Sequence, residues 1–97
     1  MKILAIEKEN AGFRKTELPA PLLEDEAMHA WKLLQAGKIR EMYFRAERPV
    51  AILILECDSG DQAREVLSTL PLVRDGKIEF DIIPLVPYPG FQRLFKK

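Results

Sequence analysis

Apolar and polar positions follow one another along the chain in an order that predicts its elements. Residues 2–7 alternate weakly over a short run and predict a first strand. Residues 9–21 are polar, hold Gly12, Pro19 and Pro21, and show no period. That predicts a loop of about a dozen residues, long enough to suggest function or flexibility. A helix is predicted from Leu22 to Gly37, a residue suited to the left-handed conformation that closes helices. Leu23, Ala27, Ala30, Trp31 and Leu34 fall on one side of it as an apolar stripe. Glu24, Asp25 and Glu26 fall in its predicted first turn, where the helix dipole favours negative charge.

Residues 39–45 alternate and predict a second strand, which turns through Ala46-Glu47-Arg48-Pro49. Residues 50–56 are apolar at successive positions, as in a strand covered on both faces. A second subunit is the simplest cover for the extra face. Ser59-Gly60-Asp61-Gln62 is a capping-box signal, with Ala63, Val66, Leu67 and Leu70 as the apolar stripe of the helix it opens. Pro71 cannot continue that helix, and residues 78–83 predict a last strand stopped by Pro84. Residues 86–97 are proline-rich and aromatic, a tail expected to dock on the body or on a neighbouring subunit. The order is β-α-β-β-α-β, an α+β ferredoxin-like fold with an antiparallel four-stranded sheet and two helices on one face. The doubly apolar third strand points further, to a dimeric α+β barrel in which two such sheets pack face to face.

Composition narrows the partners. Ninety-seven residues make a single domain, and 47% of them are hydrophobic, more than one small sandwich needs. A subunit interface would take the excess. Fifteen basic and fifteen acidic residues cancel and interleave, which leaves no footprint for nucleic acid or an anionic membrane. A single cysteine, Cys57, excludes an internal disulfide, and its place beside Asp58 with no activating histidine favours packing. No run approaches a membrane span and the N-terminal apolar run is too short for a signal peptide, so a cytoplasmic protein is expected. One histidine and one cysteine give no metal cluster, and the glycines form no phosphate loop; no cofactor is expected.

Within the barrel group the chain resembles muconolactone delta-isomerase, from about Leu22 to Tyr88. The resemblance rests on Asp25-Glu26 early in the first helix, Gly37 followed by Arg40, and Ser59 opening the second helix. Leu70-Pro71-Leu72, the Ile78-Glu79-Phe80-Asp81 strand and Pro87 continue it. It implies a homo-oligomeric enzyme that moves a double bond in a small lactone by proton transfer. Two departures stand beside the matches. Ala27 occupies the place where the family pattern has a lysine, and Arg48-Pro49-Val50-Ala51 replaces a stretch bearing polar side chains.

Such a reaction needs a carboxylate base and a group that holds the enolate oxygen. Glu26 lies about 80° from the centre of the predicted stripe, at the edge of the core, and is the leading base; its alternative role is dipole stabilisation. Arg40 is the leading oxyanion partner through its forked donors, or else pairs with Glu79 or Asp81. Tyr43 offers a phenol as acid or donor, though tyrosine is also a common strand residue. His29 lies about 140° from the stripe, where a surface or interface role outweighs catalysis. Two readings follow. One is an isomerase-like enzyme on a small unsaturated lactone or acid; the other is a non-catalytic oligomeric binding or assembly domain that kept the barrel and lost the polar pocket.

Overall fold

The computed structural model describes residues 1–8 and 18–95. The elements are β1 (Lys2–Lys8), α1 (Ala20–Gln35), β2 (Ile39–Phe44), β3 (Ala51–Glu56), α2 (Gly60–Ser68), α3 (Pro71–Arg74), β4 (Glu79–Pro84) and a terminal 3₁₀ helix (Pro89–Leu94). The loop expected over residues 9–21 lies outside the described residues as far as residue 17. The four strands pair antiparallel in the order β2-β3-β1-β4. This is the α+β ferredoxin-like arrangement expected from the sequence, with one added turn of helix. Pro71 ends the α2 segment as predicted and then opens α3, because an early helical position does not need its missing amide hydrogen.

Pairing assigns the strand residues to faces. Ile3 lies opposite Leu55, Ala5 opposite Leu53 and also opposite Ile82, and Glu7 opposite Phe80. These residues point toward the helices and form the core with Ala30, Ala63, Leu67 and Leu72. Leu4 and Ile6 lie opposite Ile54 and Ile52, on the other side of the sheet. That second face carries no helix among the described residues, and its central residues are only half-buried. One side of the doubly apolar β3 is therefore core, and the other is an apolar surface that the described part of the chain leaves open.

The first helix departs from expectation in two ways. It begins at Ala20, with Pro21 in its first turn, so no acidic residue lies in that turn. It is also rotated. Leu22, Glu26, His29, Ala30 and Leu33 face inward, whereas Leu23, Ala27, Trp31 and Leu34 are exposed, Trp31 at 55%. The shift is one residue, or about 100° of rotation. Its cause is polar. The inward edge of α1 meets the link between α2 and α3, where Glu26 Oε1 accepts the Leu72 amide hydrogen bond at 3.0 Å and His29 Nε2 bonds Thr69 Oγ1 at 3.0 Å. An apolar stripe read alone cannot anticipate partners supplied by a distant link.

Gly37 and Gly76 terminate α1 and α3 with φ of +78° and +72°. After α1, the Gly37 amide bonds Leu34 O and the Lys38 amide bonds Leu33 O; after α3, the Gly76 amide bonds Val73 O and the Lys77 amide bonds Leu72 O. Both ends are Schellman motifs, in which the left-handed residue lets two orphan carbonyls find donors. At the start of α2, Ser59 Oγ accepts from the Gln62 amide at 3.1 Å, and Gln62 Oε1 reaches back to the Asp58 amide at 2.6 Å. The capping box is thus present, with its return arm one residue further back than usual.

Candidate functional site

Among the described residues, the helix-facing side of the sheet carries one buried charge. β1 places Ile3, Ala5 and Glu7 on the helix-facing side, so Glu7 continues an otherwise apolar row. It is 7% exposed, the buried charged residue among those described. Its Oε1 accepts from the Ala51 amide at 3.4 Å, and Phe80 lies opposite it on β4. Sequence reasoning missed Glu7. The signal was present: it is the charged member of the inward parity set of its strand.

Glu26 is half-buried on the inward edge of α1. Its bond to the Leu72 amide caps the start of α3, whose first residue, Pro71, has no hydrogen to offer. Next along the chain from Leu72 is Val73, which lines a hollow of about 290 Å³ between the α2–α3 layer and the sheet. Leu67, Phe80 and Ile82 give that hollow an apolar floor, and Lys8, Arg64 and Glu79 give it a charged rim. Neither Lys8 nor Arg64 stands out in the sequence, because only the fold brings the end of β1 beside α2.

The structure does not bring Arg40 and Tyr43 to Glu26 within one chain. A β-bulge between Ile39 and Glu41 breaks the alternation of β2, so Arg40 does not share a face with Met42 and Phe44 as its spacing suggests. Its Nε donates to Gly37 O at 2.9 Å, beyond the far end of α1 and roughly 16 Å along the helix axis from Glu26. Pairing with Glu79 or Asp81 is also ruled out, since β2 and β4 are opposite edges of the sheet, roughly 14 Å apart. Arg40 instead lines a polar hollow of about 290 Å³ with Lys38, Glu56, Asp58 and Gln62, a mixture of charges that favours no single ligand sign. Tyr43 lies opposite Ile52 and so belongs to the uncovered face. Its hydroxyl donates to Glu41 Oε1 at 2.7 Å, and this bond, reinforced by the carboxylate charge, raises its pKa.

His29 is half-buried rather than on the outer surface. Thr69 Oγ1 gives its hydrogen to Val66 O at 2.6 Å, so His29 Nε2 is the donor in the bond to Thr69. Cys57 is buried at the end of β3, and burial first, then the charges of Asp58 and Glu56, raise its thiol pKa against the opposing pull of Lys38. It is a packed thiol, not an activated one.

Fold and site together define a ferredoxin-like α+β domain with an apolar sheet face left open and two carboxylates, Glu7 and Glu26, on its helix side. Among solved structures, the crystal structure of muconolactone isomerase is similar to this chain with a TM-score of 0.73, covering 93% of each chain at 19% identity. At that identity the likeness establishes the fold. No family model and no curated protein matches the sequence.

Proposed function

We propose that the chain is a cofactor-independent, muconolactone isomerase-like enzyme that shifts a double bond in a small unsaturated lactone or acid. The observation that carries this reading is the pair of carboxylates on the helix side of the sheet, half-buried Glu26 on α1 and buried Glu7 on β1. An apolar hollow on the same side is lined by Phe80, the cross-strand neighbour of Glu7, and by Val73, which follows the Leu72 that Glu26 bonds, with Lys8, Arg64 and Glu79 at its rim. In this reading Glu26 removes a proton next to the substrate carbonyl, the resulting enolate is held by Arg64 or Lys8 of the mixed-charge rim, and a proton returns at another carbon. Glu7 is the second carboxylate available for the return step. Arg40 and Tyr43, the other residues singled out from the sequence, are directed elsewhere and have no part in it.

The similarity to muconolactone isomerase over 93% of both chains supports a substrate of that class. The uncovered face of Leu4, Ile6, Ile52 and Ile54 supports a homodimer closed sheet to sheet. No helix among the described residues is long and apolar enough to cross a membrane; a cytoplasmic setting completes the proposal.

The test is a spectrophotometric progress curve with muconolactone for the wild-type chain, Glu26→Gln and Glu7→Gln. Turnover that falls at least about 100-fold in Glu26→Gln, with unchanged circular dichroism, is the expected result. No turnover by the wild-type protein would sink the proposal. A second reading, a non-catalytic oligomeric domain, is favoured by one observation: the guanidinium and the phenol are held by Gly37 O and Glu41 rather than aimed at a shared hollow. It predicts a stable oligomer that is indifferent to Glu26→Gln.

A further inference from the structure

Two links of the chain lie side by side: residues 36–38 run from α1 into β2, and residues 57–59 run from β3 into α2. The Glu56 amide donates to Lys38 O at 3.0 Å and ties them together. They line the polar hollow of about 290 Å³ that holds Lys38, Arg40, Glu56, Asp58 and Gln62. Its polar groups are anchored before any ligand arrives. Arg40 is fixed through its Nε bond to Gly37 O, with its guanidinium 3.9 Å from where a Gly37 Cβ would stand. The two terminal nitrogens, a planar pair of donors, make no bond among the described residues. Asp58 is fixed through its backbone, whose amide donates to Gln62 Oε1 at 2.6 Å, and its carboxylate is left outside that bond.

The charges of the hollow do not cancel internally. Glu56 holds the Met1 ammonium at 3.3 Å. Among the described residues, Lys38, Arg40 and Asp58 have no ion-pair partner. Both signs act at one wall: burial first raises the Cys57 thiol pKa, Lys38 opposes it, and Asp58 and Glu56 raise it further. A simple anion in the hollow would lie near Asp58 and Glu56, and a simple cation near Lys38 and Arg40. A ligand that carries both charges within a few atoms avoids both repulsions, because each of its ends finds an unpaired partner. The volume is at the small end of ligand sites and the lining is mostly charged, which suits a small or polar side chain. We infer that this hollow is a second ligand site that binds a small zwitterionic α-amino acid, its carboxylate on Arg40 and Lys38 and its ammonium on Asp58. The site is separate from Glu7 and Glu26, and it holds equally for an enzyme and for a binding domain.

The experiment is a titration of the wild-type chain, followed by backbone amide NMR shifts, with L-alanine, propionate, ethylamine and inorganic phosphate in turn. Propionate lacks the ammonium of alanine and ethylamine lacks the carboxylate, so each gives up one charge-assisted contact. The expected result is saturable binding of L-alanine, with shifts centred on the amides of Lys38, Asp58 and Gln62. Its affinity should exceed that for either half by about tenfold or more. Arg40→Gln and Asp58→Asn should each weaken alanine by a similar factor; both positions are exposed, and circular dichroism checks that the body is folded. Absence of saturable alanine binding at millimolar concentration overturns the inference. So does equal affinity for propionate, or tighter binding of phosphate, since either would make the hollow a plain anion site. Alanine binding that ignores both substitutions overturns it as well, because the ligand would then sit elsewhere.

Discussion

At the residue scale, the carboxylate of Glu26 has an architectural duty that any catalytic role must coexist with. It accepts the Leu72 amide bond at the start of α3, where Pro71 has no amide hydrogen of its own. Glu26→Ala strands that part-buried amide and should cost about 1–2 kcal/mol of stability. Glu26→Gln keeps an acceptor oxygen and should stay within about 0.5 kcal/mol of wild type. Urea unfolding of both variants checks the difference, and equal losses would show that the bond contributes little. This contrast is what makes the glutamine variant a fair probe of chemistry. Cys57 gives a pH signature of opposite kind. Its raised pKa means the native thiol holds a proton that the unfolded chain releases more readily. The resulting stability is fully present below the unfolded thiol's pKa and is lost as pH rises through the native one. The stability advantage of wild type over Cys57→Ala should therefore shrink between about pH 8 and 10, measured by urea midpoints. A gap that stays constant or widens with pH would contradict the assignment.

At the scale of elements, local signals and long-range ones were legible to different degrees. Helix ends were readable because their causes are local: Gly37 sits where a left-handed residue must, and Ser59 and Gln62 carry their own capping groups. Gly37→Ala and Gly76→Ala should each lose about 1–2 kcal/mol, since an L side chain at positive φ is strained whatever the space around it. Urea denaturation decides, and a neutral Gly37→Ala would mean that the motif relaxes. The facing of α1 was not readable, because its apolar arc is broad and the side that turns inward is chosen by Thr69 and Leu72, some forty residues on. The same limit governs the candidate site. Glu26 was legible as an acid at the edge of an apolar stripe. Glu7 needed the strand pairing that sets it between Ala51 and Phe80, and the surroundings of Arg40 depend on an irregularity between Ile39 and Glu41 that strand alternation does not anticipate.

At the scale of the whole molecule, the sheet separates two apolar surfaces that one chain leaves open. On one side Leu4, Ile6, Ile52 and Ile54 form the centre of an unhelixed face, with Tyr43 opposite Ile52 and Ile83 opposite Leu4 extending it toward both edges. On the other, the outer stripe of α1 looks away from the core. The sheet face is bordered at one end by opposite charges paired across strands, Lys2 with Glu56, so a two-fold partner meets an apolar centre beside a polar margin. Ile54 is the informative position, because its side chain lies on that face while the core residues Leu53 and Leu55 point the other way. Ile54→Lys should leave the fold intact, as judged by circular dichroism, yet bury a charge in any sheet-to-sheet interface. Removing a lysine from water without a partner is costly enough to dissociate a small interface. Light scattering should then show loss of the sheet-paired assembly, and activity should persist in the dissociated chains, since Glu7, Glu26 and the hollow between the layers lie on the helix side of one chain. A variant that keeps the wild-type mass would place the partner elsewhere. A variant that dissociates and loses turnover would instead mean that the second chain completes the site.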